Sequence, residues 1–404
     1  MKYIIILGDG MSDYPIAELN EKTPLQFAKK PHMDRFAREG IMGMVQNVPE
    51  GMPPGSDVAN ISVMGYDPRK YYTGRSPLEA VSMGVPLSEN DVAFRCNLVT
   101  LSDDEPYQFK TMLDYSSDEI STEEAKELIL TINETLGTEE LEFYPGVSYR
   151  HLLVWRNGKD KFELTPPHDI SDGKITDFLP QGNESEKLLE LMTKSVDILK
   201  NHPVNKARVA RGLKPATSIW LWGQGKKPAF KPFLEEYGLK GAVISAVDLT
   251  KGLGLCAEML SIDVPGTTGN IHTNFIGKAE AALKVLADGA DFVYVHIEAP
   301  DEAGHRGELD TKIKAIEEID EKVIGPILAG LEKYDDYKIM VLPDHPTPIA
   351  LKTHTSDPVP FVIYQKTKPQ PTKERIYSEN DASSAEINIP HGYKLMEYFL
   401  FGKE

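Results

Sequence analysis

The sequence predicts an α/β fold built on a mostly parallel sheet that is sandwiched by helices. Three short runs of mainly apolar, β-branched residues carry this prediction, at 3–7 (YIIIL), 292–297 (FVYVHI) and 338–342 (KIMVL). Unbroken runs of this kind are typical of parallel strands covered on both faces. An acidic residue follows shortly after each run, and the functional crevice of an open parallel sheet lies outside the carboxyl ends of its strands. The three strands are therefore expected to deliver acids to one edge.

The remaining elements follow from local signals along the chain. The Gly/Pro loop at 51–55 precedes a stretch able to start a helix, and a second helix is expected at 77–83. The middle of the chain has a different pattern, with strands predicted at 92–99 and 151–155 and helices near 123–136 and 184–201. Residues 220–225 (WLWGQG) are expected to return the chain to the core sheet, and 359–363 (VPFVI) reads as a further strand.

These patterns predict two domains, one of them discontinuous in sequence. Residues 1–88 and 215–404 would form the core, because both stretches carry residues that must share one site. Residues 89–214 would then be an inserted, smaller α+β domain that acts as a cap over the substrate.

The composition indicates a cytoplasmic enzyme and leaves the oligomeric state open. A net charge of −18 over 404 residues disfavours nucleic acid or an anionic membrane as partner. The two cysteines, Cys96 and Cys256, lie far apart and are expected to be reduced thiols. We find no signal-peptide pattern, and no apolar run reaches the ~20 residues that a membrane span needs.

Seven residues are candidates for one two-metal phosphoryl-transfer site. They are acids, histidines and one serine that follow strands or open helices: Asp9, Ser56, Asp301, His305, Asp344, His345 and His354. Asp301 and His305 are spaced i and i+4, so on a helical turn they would share a face and one divalent ion. Taken singly, each residue also has an ordinary interpretation as a helix cap or a hydrogen-bonded histidine. Their combination favours the metal site.

Ser56 is the candidate nucleophile. It follows a Gly/Pro loop at the start of a predicted helix, where free backbone N–H groups and the helix dipole favour phosphate. A serine hydroxyl attacks poorly without a base or a metal, and Ser56 lies among candidate ligands. The alternative is that Ser56 only caps the helix.

The chain resembles the archaeal-type, cofactor-independent phosphoglycerate mutases of the alkaline phosphatase superfamily, over nearly its full length. The segments that carry the resemblance are 6–11 (ILGDGM), 54–60 (PGSDVAN), 65–68 (GYDP), 72–80 (YTGRSPLEA), 94–98 (FRCNL), 144–151 (YPGVSYRH) and the metal-ligand segments above. The resemblance implies an alkaline-phosphatase-like core. It also implies one metal held by Asp9, Ser56, Asp344 and His345, and a second held by Asp301, His305 and His354.

The activity implied by the family is the interconversion of 3-phosphoglycerate and 2-phosphoglycerate, a step of glycolysis and gluconeogenesis. The phosphate would pass through a phosphoserine on Ser56 without a bisphosphoglycerate primer. Two divalent ions would stabilise the attacking oxygen and the charge on the phosphoryl group. Asp and His ligands without thiolates favour Mn²⁺, and Zn²⁺, Co²⁺ or Fe²⁺ would also fit.

A substrate with a carboxylate and a phosphate needs fixed cations, and arginine binds such anions bidentately. The candidates are Arg75, Arg95, Arg150, Arg208, Arg211 and Lys251. The first three lie inside family-like motifs, Arg208 and Arg211 are spaced to share a helix face, and Lys251 precedes a Gly-Leu-Gly segment that could form a presenting turn. His151 is either a proton-transfer group or a packed residue.

Three alternatives remain open at this stage. A homoserine-kinase-like phosphotransferase could use the same metal site, although the sequence has no Gly-x-x-x-x-Gly-Lys-Ser/Thr loop for ATP. A metal-dependent phosphatase of the same superfamily would pass the phosphate to water. A binding protein that had lost catalysis would have no need to keep Ser56.

Overall fold

The computed structural model describes residues 1–402, which form two compact units. The first unit contains Met1–Tyr72 and 230–402, and the second contains Thr73–Ala229. The second unit therefore interrupts the first in sequence. Within the described residues, every helix is too short or too polar to cross a lipid bilayer.

The strands, in chain order, are β1 (Lys2–Gly8), β2 (Ile41–Val45), β3 (Val92–Leu101), β4 (Met112–Asp114), β5 (Leu141–Tyr144), β6 (Arg150–Trp155), β7 (Ser218–Lys226), β8 (Gly241–Ile244), β9 (Leu260–Ile262), β10 (Phe292–Ile297), β11 (Tyr337–Leu342), β12 (Val359–Gln365) and β13 (Ile387–Ile389). The α-helices are α1 (Pro24–Phe27), α2 (Pro31–Glu39), α3 (Ser56–Val63), α4 (Pro68–Tyr71), α5 (Ser76–Ser82), α6 (Thr122–Leu136), α7 (Ser185–Lys200), α8 (Pro203–Ala210), α9 (Phe233–Tyr237), α10 (Asp248–Cys256), α11 (Phe275–Ala287), α12 (Ala299–Arg306), α13 (Leu309–Ile319), α14 (Gly325–Leu331), α15 (Glu379–Ser383) and α16 (Lys394–Phe401). A π-helical turn, Asp320–Ile324, joins α13 to α14.

The first unit contains an eight-stranded sheet in the order β13-β2-β12-β11-β1-β10-β8-β9. Strand β1 lies between β10 and β11 and is parallel to both, and β12 is antiparallel to its neighbours. Helices α2, α10, α11 and α12 pack against these strands. The predicted α/β fold with a mostly parallel sheet is therefore confirmed.

The centre of this sheet is apolar on both faces. In β1, Ile4, Ile5, Ile6 and Leu7 are all fully buried. Burial of each such side chain contributes roughly 1.5–3 kcal/mol relative to exposure. Because β1, β10 and β11 run parallel in register, their carboxyl ends meet at one rigid edge. That edge is where the sequence places its acids.

The second unit contains a smaller sheet in the order β4-β3-β6-β5, with β7 paired to β3. Residues 220–225 were expected in the core sheet, and this prediction is wrong. They belong to β7, which runs antiparallel to β3 with Leu221 opposite Cys96. Helix α5 also packs on β3 and β7. Residues 73–88 and 215–229 therefore group with the second unit, because the ten-residue strand β3 needs a hydrogen-bonded neighbour on each side.

Candidate functional site

The structure brings the seven candidate residues together at the carboxyl edge of the first unit's sheet. One group consists of Asp9, Asp344 and His345, and a second consists of Asp301, His305 and His354. Within each group, one ligand atom per residue lies within 4.8 Å of the others. The two groups are neighbours, since the rings of His345 and His354 are 4.1 Å apart between centroids.

The first group forms because β1 and β11 are adjacent parallel strands. Asp9 directly follows β1, and Asp344 comes two residues after β11. The backbone N–H of Gly10 donates to Asp344 Oδ1 at 3.2 Å. Gly10 has a φ of +62°, and a Cβ there would lie 2.8 Å from Asp301 Oδ1. Glycine is required at this position because the loop passes so close to the second group.

The second group is built on α12, which starts just after β10. Asp301 and His305 are one turn apart on this helix, with His305 Nε2 3.4 Å from Asp301 Oδ2. His354 reaches the other oxygen of the same carboxylate, with Nε2 3.3 Å from Asp301 Oδ1. His305 Nδ1 lies 3.0 Å from the carbonyl oxygen of Lys352, to which it donates, so its Nε2 faces the group.

Charge and burial oppose each other at this edge. Burial raises the pKa of Asp9 well above its ordinary value, and the neighbouring charges of Asp344 and Asp301 raise it further. Burial also acts to raise the pKa of Asp301, but hydrogen bonds from His305 and His354 outweigh it and hold that pKa well below its usual range. The contact with Asp301 raises the pKa of His305 to about 9. Both groups are therefore short of positive charge unless a proton or a cation supplies it.

The two groups fit divalent cations. Asp9 Oδ1 is buried and has no hydrogen-bond partner within residues 1–402. Buried carboxylate oxygens in that condition are rare, because leaving one unpaired is costly. In the second group, the Nε2 atoms of His305 and His354 are only 2.8 Å apart, so a proton or a cation must hold them together. Mixed carboxylate and imidazole donors are a set that first-row transition metals prefer.

Ser56 lies beside the first group. It is the first residue of α3, after Gly55 at the N-cap, and its Oγ is 3.0 Å from His345 Nε2. The N-cap residue Gly55 has no side chain to cap the helix, and the Val58 N–H of the first turn donates to Asp57 Oδ1 at 2.9 Å. The N–H groups of Ser56 and Asp57 precede it at the start of the helix. Ser56 is therefore not the N-cap residue, and its hydroxyl points to a candidate ligand.

Two supporting residues could not be recognised from the sequence. The Thr347 hydroxyl donates to Asp301 Oδ1 and also lies 3.3 Å from His345 Nδ1, so it touches a member of each group. Lys312 is completely buried and donates to the Thr347 carbonyl at 2.9 Å and to Asp13 Oδ2 at 2.7 Å. Nothing in the local pattern around Lys312 or Thr347 signals these contacts, which join residues far apart in sequence.

Three of the predicted substrate residues cluster in the second unit. Arg95 binds the carboxylate of Glu79 through two nitrogens, and Arg75 lies 3.3 Å from the same side chain. Burial acts to raise the pKa of Glu79, but Arg95, Arg75 and Arg150 together lower it. The guanidinium of Arg95 also stacks over Trp222 at 4.7 Å. These contacts fix one arginine and leave Arg75 and Arg150 more open to solvent.

Arg208 and Arg211 both contact Glu124, so their side chains lie on the same side of the chain. The Arg208 side chain is buried, and all three of its guanidinium nitrogens donate within the fold, to Glu124 and to the carbonyls of Ser117 and Lys214. This placement argues against a substrate role for Arg208. Arg211 is half exposed.

Lys251 lies in the first unit and pairs with Asp263 at 2.6 Å. The Gly-Leu-Gly segment that follows it was expected to form a turn, and that expectation is wrong, since it continues helix α10. The reason is packing: a Cβ at Gly254 would lie 2.4 Å from Val243 Cγ1 in the sheet beneath. The glycine therefore allows a close helix-to-strand approach.

His151 is buried in β6, and its Nδ1 accepts the backbone N–H of Gly146 at 3.0 Å. Burial lowers the pKa of His151 to about 3, so the imidazole stays neutral near pH 7. Because the folded pKa lies below the unfolded one, the unfolded chain takes up a proton first as pH falls. His151 therefore contributes stability above about pH 6.5 that is lost between about pH 6.5 and 3, at up to ~1.4 kcal/mol per pH unit.

We expect a His151→Asn variant, which keeps an acceptor for Gly146, to lose stability less steeply than the wild type between pH 7 and 4. Urea unfolding followed by tryptophan fluorescence measures this directly, since Trp155, Trp220 and Trp222, the chain's three tryptophans, all lie in the second unit. Parallel pH profiles for the two proteins would show that His151 does not remain neutral.

Comparison with known proteins agrees with this arrangement. A sequence model described as 2,3-bisphosphoglycerate-independent phosphoglycerate mutase matches residues 37–205. A probable enzyme of that name from Geobacter sulfurreducens is 55% identical over 99% of this chain and 100% of its own length. The one from Methanosarcina barkeri is 50% identical over 96% of each chain. The solved cofactor-independent phosphoglycerate mutase from Thermoplasma acidophilum is 28% identical, with a TM-score of 0.69 over 99% of both chains. The chain belongs to the family of 2,3-bisphosphoglycerate-independent phosphoglycerate mutases.

Proposed function

We propose that this protein interconverts 3-phosphoglycerate and 2-phosphoglycerate without bisphosphoglycerate, through a phosphoserine at Ser56. The observation that carries the proposal is the position of the Ser56 hydroxyl, 3.0 Å from His345 in one carboxylate–imidazole group and at the amino end of α3. Family membership supplies the substrate. Cys96 and Cys256 are buried and are not joined in a disulfide, which agrees with a cytoplasmic enzyme of glycolysis and gluconeogenesis.

Two divalent cations per chain belong to this proposal, with Mn²⁺ as the preferred ion and Zn²⁺, Co²⁺ or Fe²⁺ as other fits. Asp9, Ser56, Asp344 and His345 would hold one, and Asp301, His305 and His354 would hold the other. When bound, such ions lower the pKa of a coordinated hydroxyl and offset the negative charge of a phosphoryl group.

The chain's own part in the reaction is a double displacement. Ser56 Oγ gives up its proton and attacks phosphorus, the bond from phosphorus to the substrate O3 breaks, and the glycerate O3 takes up a proton. The glycerate then turns, its O2 gives up a proton and attacks the phosphoserine, the bond from phosphorus to Ser56 Oγ breaks, and Ser56 Oγ takes a proton back. The cycle consumes no water and no net proton. The backbone N–H groups of Ser56 and Asp57 at the start of α3 are suited to bind the phosphoryl oxygens during both steps.

Substrate recognition rests on cations of the chain. Arg75, Arg150 and Arg211 are exposed to solvent, and Arg95 is oriented by Glu79 and Trp222. We propose these arginines, with Lys251 and the neutral His151, as partners for the substrate's carboxylate, hydroxyl and phosphate groups. Arg208 is left out of this set because its guanidinium is already committed within the fold.

An enolase-coupled assay with 3-phosphoglycerate, Mn²⁺ and no bisphosphoglycerate tests the activity. We expect 2-phosphoglycerate to form, turnover to stop with EDTA, and no inorganic phosphate to be released. Release of phosphate in place of 2-phosphoglycerate would identify a phosphatase. ATP-dependent phosphorylation of homoserine by a protein inactive on 3-phosphoglycerate would identify the kinase alternative.

A further inference from the structure

Strand β10 carries two polar side chains that the site described above does not use. Tyr294 and His296 are spaced two residues apart, so they lie on the same face of the strand. Both are buried, at 0% and 1% exposure. The residues between and beside them, Val293, Val295 and Ile297, belong to the hydrophobic core. Two polar groups on one face of such a strand need partners, and both find them next to the metal-ligand candidates.

His296 forms a chain of hydrogen bonds that ends on Asp9. The backbone N–H of Val247 donates to Ser245 Oγ at 2.9 Å, and Ser245 Oγ lies 3.1 Å from His296 Nδ1. His296 Nε2 lies 2.9 Å from Asp9 Oδ2. Because Asp9 must be ionised to bind a cation, and an ionised carboxylate only accepts, the Nε2 of His296 carries the hydrogen in that state and the Ser245 hydroxyl donates to Nδ1. Asp9 Oδ2 is thereby occupied, and Oδ1 is the oxygen left without a partner within residues 1–402.

Tyr294 acts on the other carboxylate of the first group through Asn60. The Tyr294 hydroxyl donates to Asn60 Oδ1 at 2.6 Å. The Asn60 amide nitrogen donates to Asp344 Oδ2 at 2.8 Å and to the backbone carbonyl of Ser56 at 2.8 Å. If the amide turned over, its oxygen would face two acceptors. The tyrosine hydroxyl therefore fixes the amide orientation that joins Ser56 to Asp344.

We propose that His296 and Tyr294 are positioning residues that orient the carboxylates of Asp9 and Asp344 toward a divalent cation and fix the backbone of Ser56. Partners of this kind hold a ligand in its binding orientation before the metal arrives. One strand thus supports the cation site of the nucleophile, and the helix that follows it, α12, carries the second group. The inference rests on the proposed metal site and does not depend on which phosphate ester is turned over.

Packing alone does not explain these two residues. An apolar side chain would fill the same volume without the cost of burying a hydroxyl and an imidazole. His296 contacts Asp9, which belongs to the first ligand group, and Tyr294 contacts Asn60, which donates to Asp344 of the same group. The remaining partner, Ser245, sets the tautomer of His296. A purely structural role therefore predicts that a shape-matched variant is harmless, whereas a positioning role predicts a change in metal affinity.

The test is Mn²⁺ affinity, measured without substrate by competition with a fluorescent chelator and by electron paramagnetic resonance. The variants are His296→Leu, which removes the donor, His296→Gln, which keeps an N–H near the position of Nε2, and Tyr294→Phe. We expect the wild type to bind two Mn²⁺ ions. In His296→Leu one of the two should weaken by about 10- to 100-fold, which is the usual effect of losing such a partner. His296→Gln should restore most of that loss, and Tyr294→Phe should weaken one ion by about 10-fold.

Wild-type affinity for both ions in His296→Leu would overturn the proposal. Equal losses of affinity in the Leu and Gln variants would also overturn it, because they would show that the loss comes from altered packing and not from the missing N–H donor. Tyr294→Phe provides an independent check if His296→Leu does not fold, and unchanged affinity in that variant would also count against the proposal. A protein that binds Mn²⁺ as expected but does not convert 3-phosphoglycerate would contradict the proposed function and leave this inference standing.

Discussion

Replacing Ser56 with alanine is expected to lower kcat by about 10⁴-fold or more while leaving the fold intact, because the substitution removes the proposed nucleophile. The stability cost should be small, within about 0.5 kcal/mol, since Ser56 is only partly buried and its hydroxyl does not cap α3. The coupled assay gives kcat, and thermal unfolding gives the stability.

Ser62→Ala is the matched control on the same helix. The Ser62 hydroxyl is buried and donates to the carbonyl oxygen of Asn47, so its removal should cost about 1 kcal/mol of stability. Its activity should stay close to that of the wild type. A Ser56→Ala protein that keeps more than a few per cent of wild-type kcat would show that the phosphate does not pass through this serine.

Asp301→Asn is expected to have the second-largest effect. Asp301 contacts His305, His354 and Thr347 through its two oxygens, so the second ligand group depends on its charge. The amide keeps the shape but loses that charge and one acceptor. We expect the bound Mn²⁺ to fall from two ions to one, and kcat to fall by about 10³-fold, the equivalent of several kcal/mol of transition-state charge stabilisation.

Glu302→Gln is the control for this change because Glu302 is the next residue of α12 and pairs with Arg306 and not with His305 or His354. It should bind two Mn²⁺ ions and turn over normally. Retention of both ions by Asp301→Asn, with activity near wild type, would remove the second group from the proposed mechanism.

The fold of the first unit could be predicted because its strands are buried on both faces. Such strands appear in the sequence as short apolar runs, and the runs at 3–7, 292–297 and 338–342 correspond to β1, β10 and β11. The acids could be located by the same reasoning, since parallel strands place their carboxyl ends together. Ser56 stood out because a Gly/Pro loop and a helix start coincide there.

Other features could not be predicted because they depend on partners distant in sequence. The residues at 220–225 carry no local signal that assigns them to one sheet or the other, and only the pairing with β3 assigns them to the second unit. Arg208 has the sequence signature of a surface cation, yet Glu124 and two backbone carbonyls hold it inside. The contact of Thr347 with Asp301 joins a loop to helix α12, and no local pattern links the two.

Ser56 as the phosphate carrier is tested most directly by trapping the intermediate. The protein would be mixed with 3-phosphoglycerate labelled in its phosphate, quenched in acid within one turnover, and digested for phosphopeptide mapping. We predict labelled phosphate on the peptide that contains Ser56, followed by its appearance in 2-phosphoglycerate with none lost as inorganic phosphate. Formation of labelled 2-phosphoglycerate with no label on that peptide at any quench time would contradict the phosphoserine mechanism.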